Sequence, residues 1–245
     1  MKCVIIAAGQ GTRLRALAAS KPLARIAGAP LIEHIVRMAA AGGASEFVVV
    51  TGYEPLPLEA ELEGLAAATG LPITTVRNSD WARPNGVSVL AAAPALDGEF
   101  ILLMSDHLFD PEILRGLIAG RRAEAALTLG IDYRVDRPNL DLDDATKVQL
   151  DGEGRIVRIA KSLTSYDAVD TGLFVAGPAL LQALAASLAG GGSGSLSEGV
   201  QALADTGRAF VHDIGDGWWV DVDDAPAHER AVAELPDILA AMGKA

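Results

Sequence analysis

A single cysteine, Cys3, rules out an internal disulfide, so nothing covalent beyond the backbone ties this chain together. Aromatic residues are scarce at 4%, although hydrophobic residues reach 50% and much of that is alanine. Small apolar side chains suit helices packed closely on a sheet. The longest apolar runs fall far short of the roughly 20 residues that cross a bilayer, which excludes a transmembrane helix. The apolar stretch Cys3 to Ala8 is also too short for the core of a secretory signal and runs straight into glycine. Cations are outnumbered, with 20 Lys and Arg against 32 Asp and Glu for a net charge of −12. That balance argues against nucleic acid or an anionic membrane surface as partner. The expectation is a cytoplasmic protein whose 245 residues form one large α/β domain, 1–245.

What the chain does have begins at once. Cys3-Val4-Ile5-Ile6-Ala7-Ala8 is short, apolar and rich in β-branched residues, and it ends at glycine, so it reads as a buried parallel strand with Cys3 an inert core thiol. Gly9 and Gly11 bracket a turn whose bare backbone can approach a ligand, take φ values closed to other residues and direct N–H groups at an anion. Arg13 and Lys21 then add positive charge. The P-loop spacing G-x-x-x-x-G-K-[ST] is not met after Gly9. A dinucleotide fingerprint fails as well, because Leu14 stands where a third small residue is required and no acid falls at the ribose position. A strand, a glycine turn and two cations fit a triphosphate that is both bound and attacked.

Strands and helices alternate through the first half, 1–131, as in βαβ units. Strands are expected at 46–51, 72–77, 100–104 and 125–131, with helices at 30–41, 58–69, after Asn85-Gly86, and from Asp110-Pro111 as N-cap and N1. In a doubly wound sheet, ligands sit beyond the carboxyl ends of the strands, where Gly9, Asn78 and Asp106 fall. The second half, 132–245, changes character. Asp151-Gly152-Glu153-Gly154 signals a hairpin, and Val169 to Val175 adds a strand, so a small antiparallel extension is expected on the substrate side. Gly190 to Ser195 is the one flexible tract and joins two helices.

Charge is segregated along the chain. Residues 1–45 hold six cations and one acid, whereas residues 205–240 hold nine acids and two arginines. An enzyme that joins a polyanion to a divalent metal needs cations in one place and carboxylates in another. The apolar strand Leu102-Leu103-Met104 ends in Ser105-Asp106-His107, which delivers one carboxylate to the sheet's carboxyl edge. Trp218-Trp219-Val220-Asp221-Val222-Asp223 delivers more. Mg²⁺ takes one or two carboxylates and completes its shell with waters and phosphate oxygens. Asp106 and Asp223 are the candidate ligands, and Asp221, on the same strand face as Asp223, can take its place.

The string Ala7-Ala8-Gly9-Gln10-Gly11-Thr12-Arg13-Leu14 followed by Lys21-Pro22-Leu23 resembles the signature of the nucleotidyltransferases that join a nucleotide to a sugar phosphate or phospho-alcohol. Met104-Ser105-Asp106-His107, the segment Asn85 to Leu90, Asp170-Thr171-Gly172-Leu173-Phe174 and Trp219-Val220-Asp221-Val222-Asp223 are similar to the CTP:inositol-1-phosphate cytidylyltransferases. Asp223-Asp224-Ala225-Pro226 departs from that family's usual Asp-Thr-Pro-Glu, which leaves the choice between Asp221 and Asp223 open.

The resemblance implies a Rossmann-like fold with a mostly parallel sheet, Mg²⁺, and release of pyrophosphate from CTP as CDP-inositol forms. It implies catalytic roles for Arg13 and Lys21. Ala7, Ala8, Gly9, Gly11 and Thr12, with Asn78, Asn85, Gly86 and Ser88, would bind the nucleotide. Lys161 would hold the substrate phosphate, with Asp170, Thr171 and Gly172 near the ring hydroxyls. The partners expected are CTP and a phosphorylated polyol or alcohol, and the product would pass to a separate membrane phosphotransferase. The rival acceptors are another phospho-alcohol, a phosphonate or a sugar 1-phosphate.

Overall fold

A computed structural model describes residues 1–11, 13, 20–137 and 140–242. Thr12, a candidate nucleotide contact, lies outside them. The first half contains strands β1 (Lys2–Ile6), β2 (Arg25–Ile26), β3 (Ala29–Pro30), β4 (Glu46–Thr51), β5 (Ile73–Arg77), β6 (Phe100–Met104), β7 (His107–Phe109) and β8 (Leu127–Asp132). Its helices are α1 (Leu31–Ala41), α2 (Pro55–Thr69), α3 (Gly86–Ala91) and α4 (Pro111–Gly120). The second half adds β9 (Lys147–Leu150), β10 (Ile156–Ala160), β11 (Ala168–Ala176), β12 (Ala209–Asp213) and β13 (Trp219–Asp221), with helices α5 (Pro178–Ala189), α6 (Leu196–Ala204) and α7 (Ala225–Met242).

β1 lies at the middle of the main sheet because its side chains are apolar on both faces. It pairs in parallel with β4 and with β6. Cys3 and Ile5 join the core under α1, α2, α4 and α7, whereas Val4 and Ile6 join the core under α3, α5 and α6. Each such aliphatic side chain taken out of water contributes roughly 1.5–3 kcal/mol. The path runs β10-β9-β11-β6-β1-β4-β5, with β8 joined to β11 and β12 beside β8. Among these strands only β10 and β11 run against the others. The parallel, doubly wound sheet is as the sequence predicts.

Two features differ from expectation. β11 is not part of a peripheral extension but lies inside the sheet between β6 and β8, and its nine residues are almost all buried. Of the expected extension, the β9–β10 hairpin lies at an edge. The glycine tract does join α5 and α6, but it is clamped. The Glu198 carboxylate accepts from Ser193 N at 3.1 Å, Ser193 Oγ at 2.6 Å, Gly194 N at 3.0 Å and Ser187 Oγ at 2.8 Å. Four donors hold Glu198 well below the ordinary carboxylate range, to about 2.

A second, two-stranded ribbon serves the site. β13 pairs antiparallel with β7, setting Asp221 opposite His107, and Val222 N donates to Asp106 O at 2.9 Å. The ribbon is anchored by Asp132 at the end of β8, which is fully buried. Its carboxylate accepts from Trp219 Nε1 at 2.8 Å, Arg134 Nε at 2.8 Å and Arg137 Nη1 at 3.2 Å. Asp132→Ala leaves these donors facing a cavity and removes the anchor, and is expected to cost about 3 kcal/mol. Urea unfolding reads this directly, and a loss below about 0.5 kcal/mol, the range of neutral surface changes, would refute the anchoring role.

Candidate functional site

The site gathers at the carboxyl ends of β1, β4, β5 and β6. Of the two glycines in the first loop, only Gly11 uses left-handed backbone, at φ +58°. A Cβ there would stand 2.5 Å from Lys21 Cβ, so glycine lets the loop close onto Lys21. Gly9 has ordinary φ, and a Cβ on it would meet nothing within 4 Å. Lys21 opens a 3-10 turn, Lys21–Leu23, and its side chain is only 11% exposed. A buried ammonium needs anions around it. Lys21 Nζ donates to Asp106 Oδ2 at 2.6 Å, forms a close ion pair with Asp223, and lies 3.9 Å from Asp221 Oδ1.

Arg13 continues the pattern. One nitrogen, Nη2, bonds Asp223 Oδ2 and Asp144 Oδ2, each at 2.6 Å. The other oxygen of Asp144 forms a close ion pair with Lys161. The groups therefore alternate in sign from Lys161 through Asp144, Arg13, Asp223 and Lys21 to Asp106. Hydrogen bonds from Lys161 and Arg13 draw the Asp144 carboxyl down to about 2.

This line of charge separates two cavities. One of about 380 Å³ is lined by Ala8, Gly9, Gly11, Lys21, Trp81 and Ser88, among others. The second, of about 570 Å³, is lined by Lys161, Asp170, Gly172, Trp219, Asp221 and Asp144, among others. Arg13, Asn85, Met104, Asp106 and Asp223 face both. Each cavity is large enough for a small-molecule ligand.

Three side chains offer metal-ligand atoms within 4.8 Å of one another: Asp106, His107 and Asp221. Asp106 Oδ1 and Asp221 Oδ1 are buried without a hydrogen-bond partner among the described residues. Bare carboxylate oxygens that converge in this way fit a hard cation. His107 fits less well. Its Nδ1 lies 2.7 Å from Thr171 O, and its Nε2 faces Asp106 Oδ1 and Asp221 Oδ2 at 3.5 Å. Burial alone would lower its pKa, but the charge and hydrogen bond of Asp221, then the charge of Asp106, outweigh it and raise the ring to about 9. With Nδ1 committed to Thr171 O and Nε2 set between two carboxylates, the surroundings favour the charged ring over a ring that ligates a cation. For Asp106, burial would raise the pKa, but Lys21 and His107 prevail and lower it.

The remaining expected residues divide. Asp170 and Gly172 line the larger cavity, and burial pushes the Asp170 carboxyl up to about 6. Thr171 is turned inward, its Oγ1 donating to Gly130 O at 2.7 Å, and serves the site through the carbonyl that holds His107. Asn78 is buried and does not face either cavity; its Nδ2 donates to Ser88 Oγ at 3.0 Å. Ala7 is also buried, its N–H bonded to Val50 O. Gly86 packs on the backbone of the glycine tract, where a Cβ would stand 2.5 Å from Gly194 O, and Asn85 Oδ1 accepts from Leu196 N at 2.9 Å. Sequence reasoning missed Asp144 and Trp81. Asp144 sits in an acidic run, 141–144, that reads as a solvated surface turn. Trp81 was legible only as an aromatic in a loop; it packs edge-on to Tyr53 at 5.0 Å and closely against Gly52.

The charge on His107 makes stability depend on pH. Its folded pKa of about 9 exceeds the ordinary 6.5, so its contribution is full below pH 6.5 and lost as pH rises through 9. In EDTA, the melting temperature should fall across that window, and His107→Gln should flatten the slope. A melting temperature independent of pH between 6.5 and 9 would show that the ring is neutral.

The chain is similar to several known proteins. A family model described as a MobA-like NTP transferase domain matches residues 3–205. A bifunctional IPC transferase and DIPP synthase of Rubrobacter xylanophilus is 40% identical over 222 residues, covering 89% of this chain and 48% of the relative. A protein of the same name from Thermococcus kodakarensis is 31% identical over 231 residues, covering 94% and 49%. The chain spans about half the length of these curated relatives. Among solved structures, the inositol-1-phosphate CTP transferase from T. maritima superposes with a TM-score of 0.80 at 27% identity, covering 95% of this chain and 96% of that one. A UDP-glucose pyrophosphorylase complexed with UDP-glucose shares the fold, with a TM-score of 0.78 at 16% identity. The chain belongs to the MobA-like NTP transferase family and is a nucleotidyltransferase.

Proposed function

We propose that this chain transfers the cytidylyl group of CTP to inositol 1-phosphate, giving CDP-inositol and pyrophosphate. One observation carries the reading: the cavity of the glycine loop and the cavity of Lys161 and Asp170 meet at Arg13, Asp106 and Asp223. Two substrates held in these cavities would present their phosphates to each other across shared charged groups. The likeness to the T. maritima inositol-1-phosphate CTP transferase supports CTP and inositol 1-phosphate as the pair.

The acceptor's phosphate is ionised at neutral pH, so the reaction needs no general base. One of its oxygens attacks the α-phosphorus in line, a P–O bond forms, and the bond to the β-phosphate oxygen breaks as pyrophosphate leaves. Catalysis is then positioning and charge stabilisation. Arg13 would neutralise the triphosphate and its leaving group, and Lys21 the charge developing at the α-phosphorus. In the nucleotide cavity, Ala8, Gly9 and Gly11 would supply backbone contacts. Thr12, between Gly11 and Arg13 in sequence, is proposed as a nucleotide contact as well. Ser88, with its oxygen occupied by Asn78, keeps its hydroxyl proton for an acceptor on the base. Asn85 and Gly86 would shape the wall through their contacts with the glycine tract. On the acceptor side, Lys161 would take the phosphate, with Asp170 and Gly172 near the polyol hydroxyls and Thr171 behind them.

Asp106 would hold Mg²⁺ together with Asp221, whose Oδ1 is unpartnered, or with Asp223, once Lys21 and Arg13 release its oxygens to the phosphates, and the ion would supply charge neutralisation there. A cytidylylated polyol carries an activated phosphate, so its consumer would be a second phosphotransferase, in the membrane on this reading.

Lys21→Ala should lower turnover by about 10²-fold or more while the fold persists, the scale of losing one transition-state donor. Pyrophosphate release with Mg²⁺ would be measured over CTP, UTP, GTP, ATP and dTTP against inositol 1-phosphate, phosphocholine and glucose 1-phosphate. The signal should be confined to CTP with inositol 1-phosphate and should vanish in EDTA. Equal signal with glucose 1-phosphate, or near-normal turnover in the Lys21 variant, would overturn the acceptor or the role respectively.

A further inference from the structure

We propose that Asp144 is an internal stand-in for the acceptor's phosphate, occupying Arg13 and Lys161 until a phosphomonoester displaces it, and thereby sets the affinity of the acceptor cavity. This rests on the reading above, with Lys161 on the acceptor's phosphate and Arg13, which faces both cavities, shared between that phosphate and the triphosphate.

The three residues come from separate elements. Arg13 belongs to the glycine loop after β1, and Lys161 follows β10, where Lys147 Nζ fixes its carbonyl at 2.7 Å. Asp144 lies on a turn between β8 and β9 that is shaped by its neighbour, because Asp141 Oδ1 accepts from the backbone N of Asp143 at 3.0 Å and of Asp144 at 3.3 Å. The carboxylate gives one oxygen to each cation, Oδ2 to Arg13 at 2.6 Å and Oδ1 to Lys161. A phosphomonoester offers three oxygens and more charge, and guanidinium and ammonium groups favour it for the same reasons.

The contacts are also exchangeable. The Arg13 and Lys161 side chains are 53% and 60% exposed, so each pair is worth little in water and can be swapped for another anion. A phosphate there would lie next to Asp223, which already bridges Arg13 and Lys21. Asp144 therefore marks where the attacking phosphate would stand, and it charges that phosphate for the vacancy.

Removing the competing charge should tighten phosphate binding. Calorimetry with inorganic phosphate as the probe would compare the wild type, Asp144→Asn, Asp144→Glu and Asp143→Asn. Asp143 is an exposed acid on the same turn that faces neither cavity, so it reports general charge removal. Asp144→Asn should bind phosphate about threefold more tightly or better, as expected for freeing exposed ion pairs. Asp144→Glu should restore the weaker binding, and Asp143→Asn should stay near the wild type. Where an acceptor turns over, the gain should appear as a lower KM. Unchanged or weaker binding by Asp144→Asn would show that Asp144 holds the cations in place instead, and an equal gain in Asp143→Asn would reduce the effect to bulk charge. Either result overturns the proposal. Because the probe is phosphate itself, this outcome is independent of which nucleotide or acceptor the enzyme uses.

Discussion

The alternation of charge from Lys161 to Asp106 is the constraint on which the rest of the site depends. A largely buried ammonium such as Lys21 is costly without anions, and the anions must come from distant parts of the chain. Asp106 arrives at the end of β6 and Asp223 just past β13, more than a hundred residues later. Each carboxylate, placed in turn, calls for a further cation. Arg13 and Lys161 answer it. The inner part of the site, Lys21 with Asp106 and Asp223, is therefore assembled as a unit whose members would each be unfavourable alone, and the more exposed Arg13 and Lys161 extend it outward.

The fold makes that assembly possible in two ways. β1 and β6 are neighbours in parallel register, so the glycine loop and Asp106 leave the sheet at the same edge. The β7–β13 ribbon then returns the far end of the chain to that edge, and the buried Asp132 ties the ribbon to β8 through Trp219. β11 completes the wall from inside the sheet, because Thr171 O holds His107, and Gly172, at φ +78°, leaves room for the ring where a Cβ would collide with Nδ1. A side chain at position 172 and His107 in this place are mutually exclusive.

Much of this was legible in the sequence where local pattern and location coincide. Cys3 to Ala8 reads as a central strand because burial on both faces leaves an uninterrupted apolar run, and Asp110-Pro111 reads as a helix start because the Asp110 side chain does accept from Glu112 N. β11 reads as a strand over Val169 to Val175, but its place was not legible, since direction and neighbours are decided by long-range pairing that no local pattern encodes. The glycine tract looked flexible because the residue that clamps it, Glu198, lies in the next helix. Arg13, Lys21, Asp106 and Asp170 could be named from motifs, whereas Asp144 could not. Its role exists only where three segments meet, and its own neighbours, Asp141 and Asp143, give it the look of solvated surface.

The charge on His107 belongs to the same class of property. A histidine next to an aspartate is unremarkable in sequence, but Asp221 reaches it from across the ribbon and favours its charged form. With it, the site holds its positive groups against carboxylates and not in free water. Substrate phosphates and a metal would then exchange one set of ionic partners for another, with the donors already in place. Such preorganisation lowers the reorganisation needed as charge moves at the α-phosphorus, and it explains why an acidic chain can build a site for polyanions: its acids keep the few cations it has where they are used.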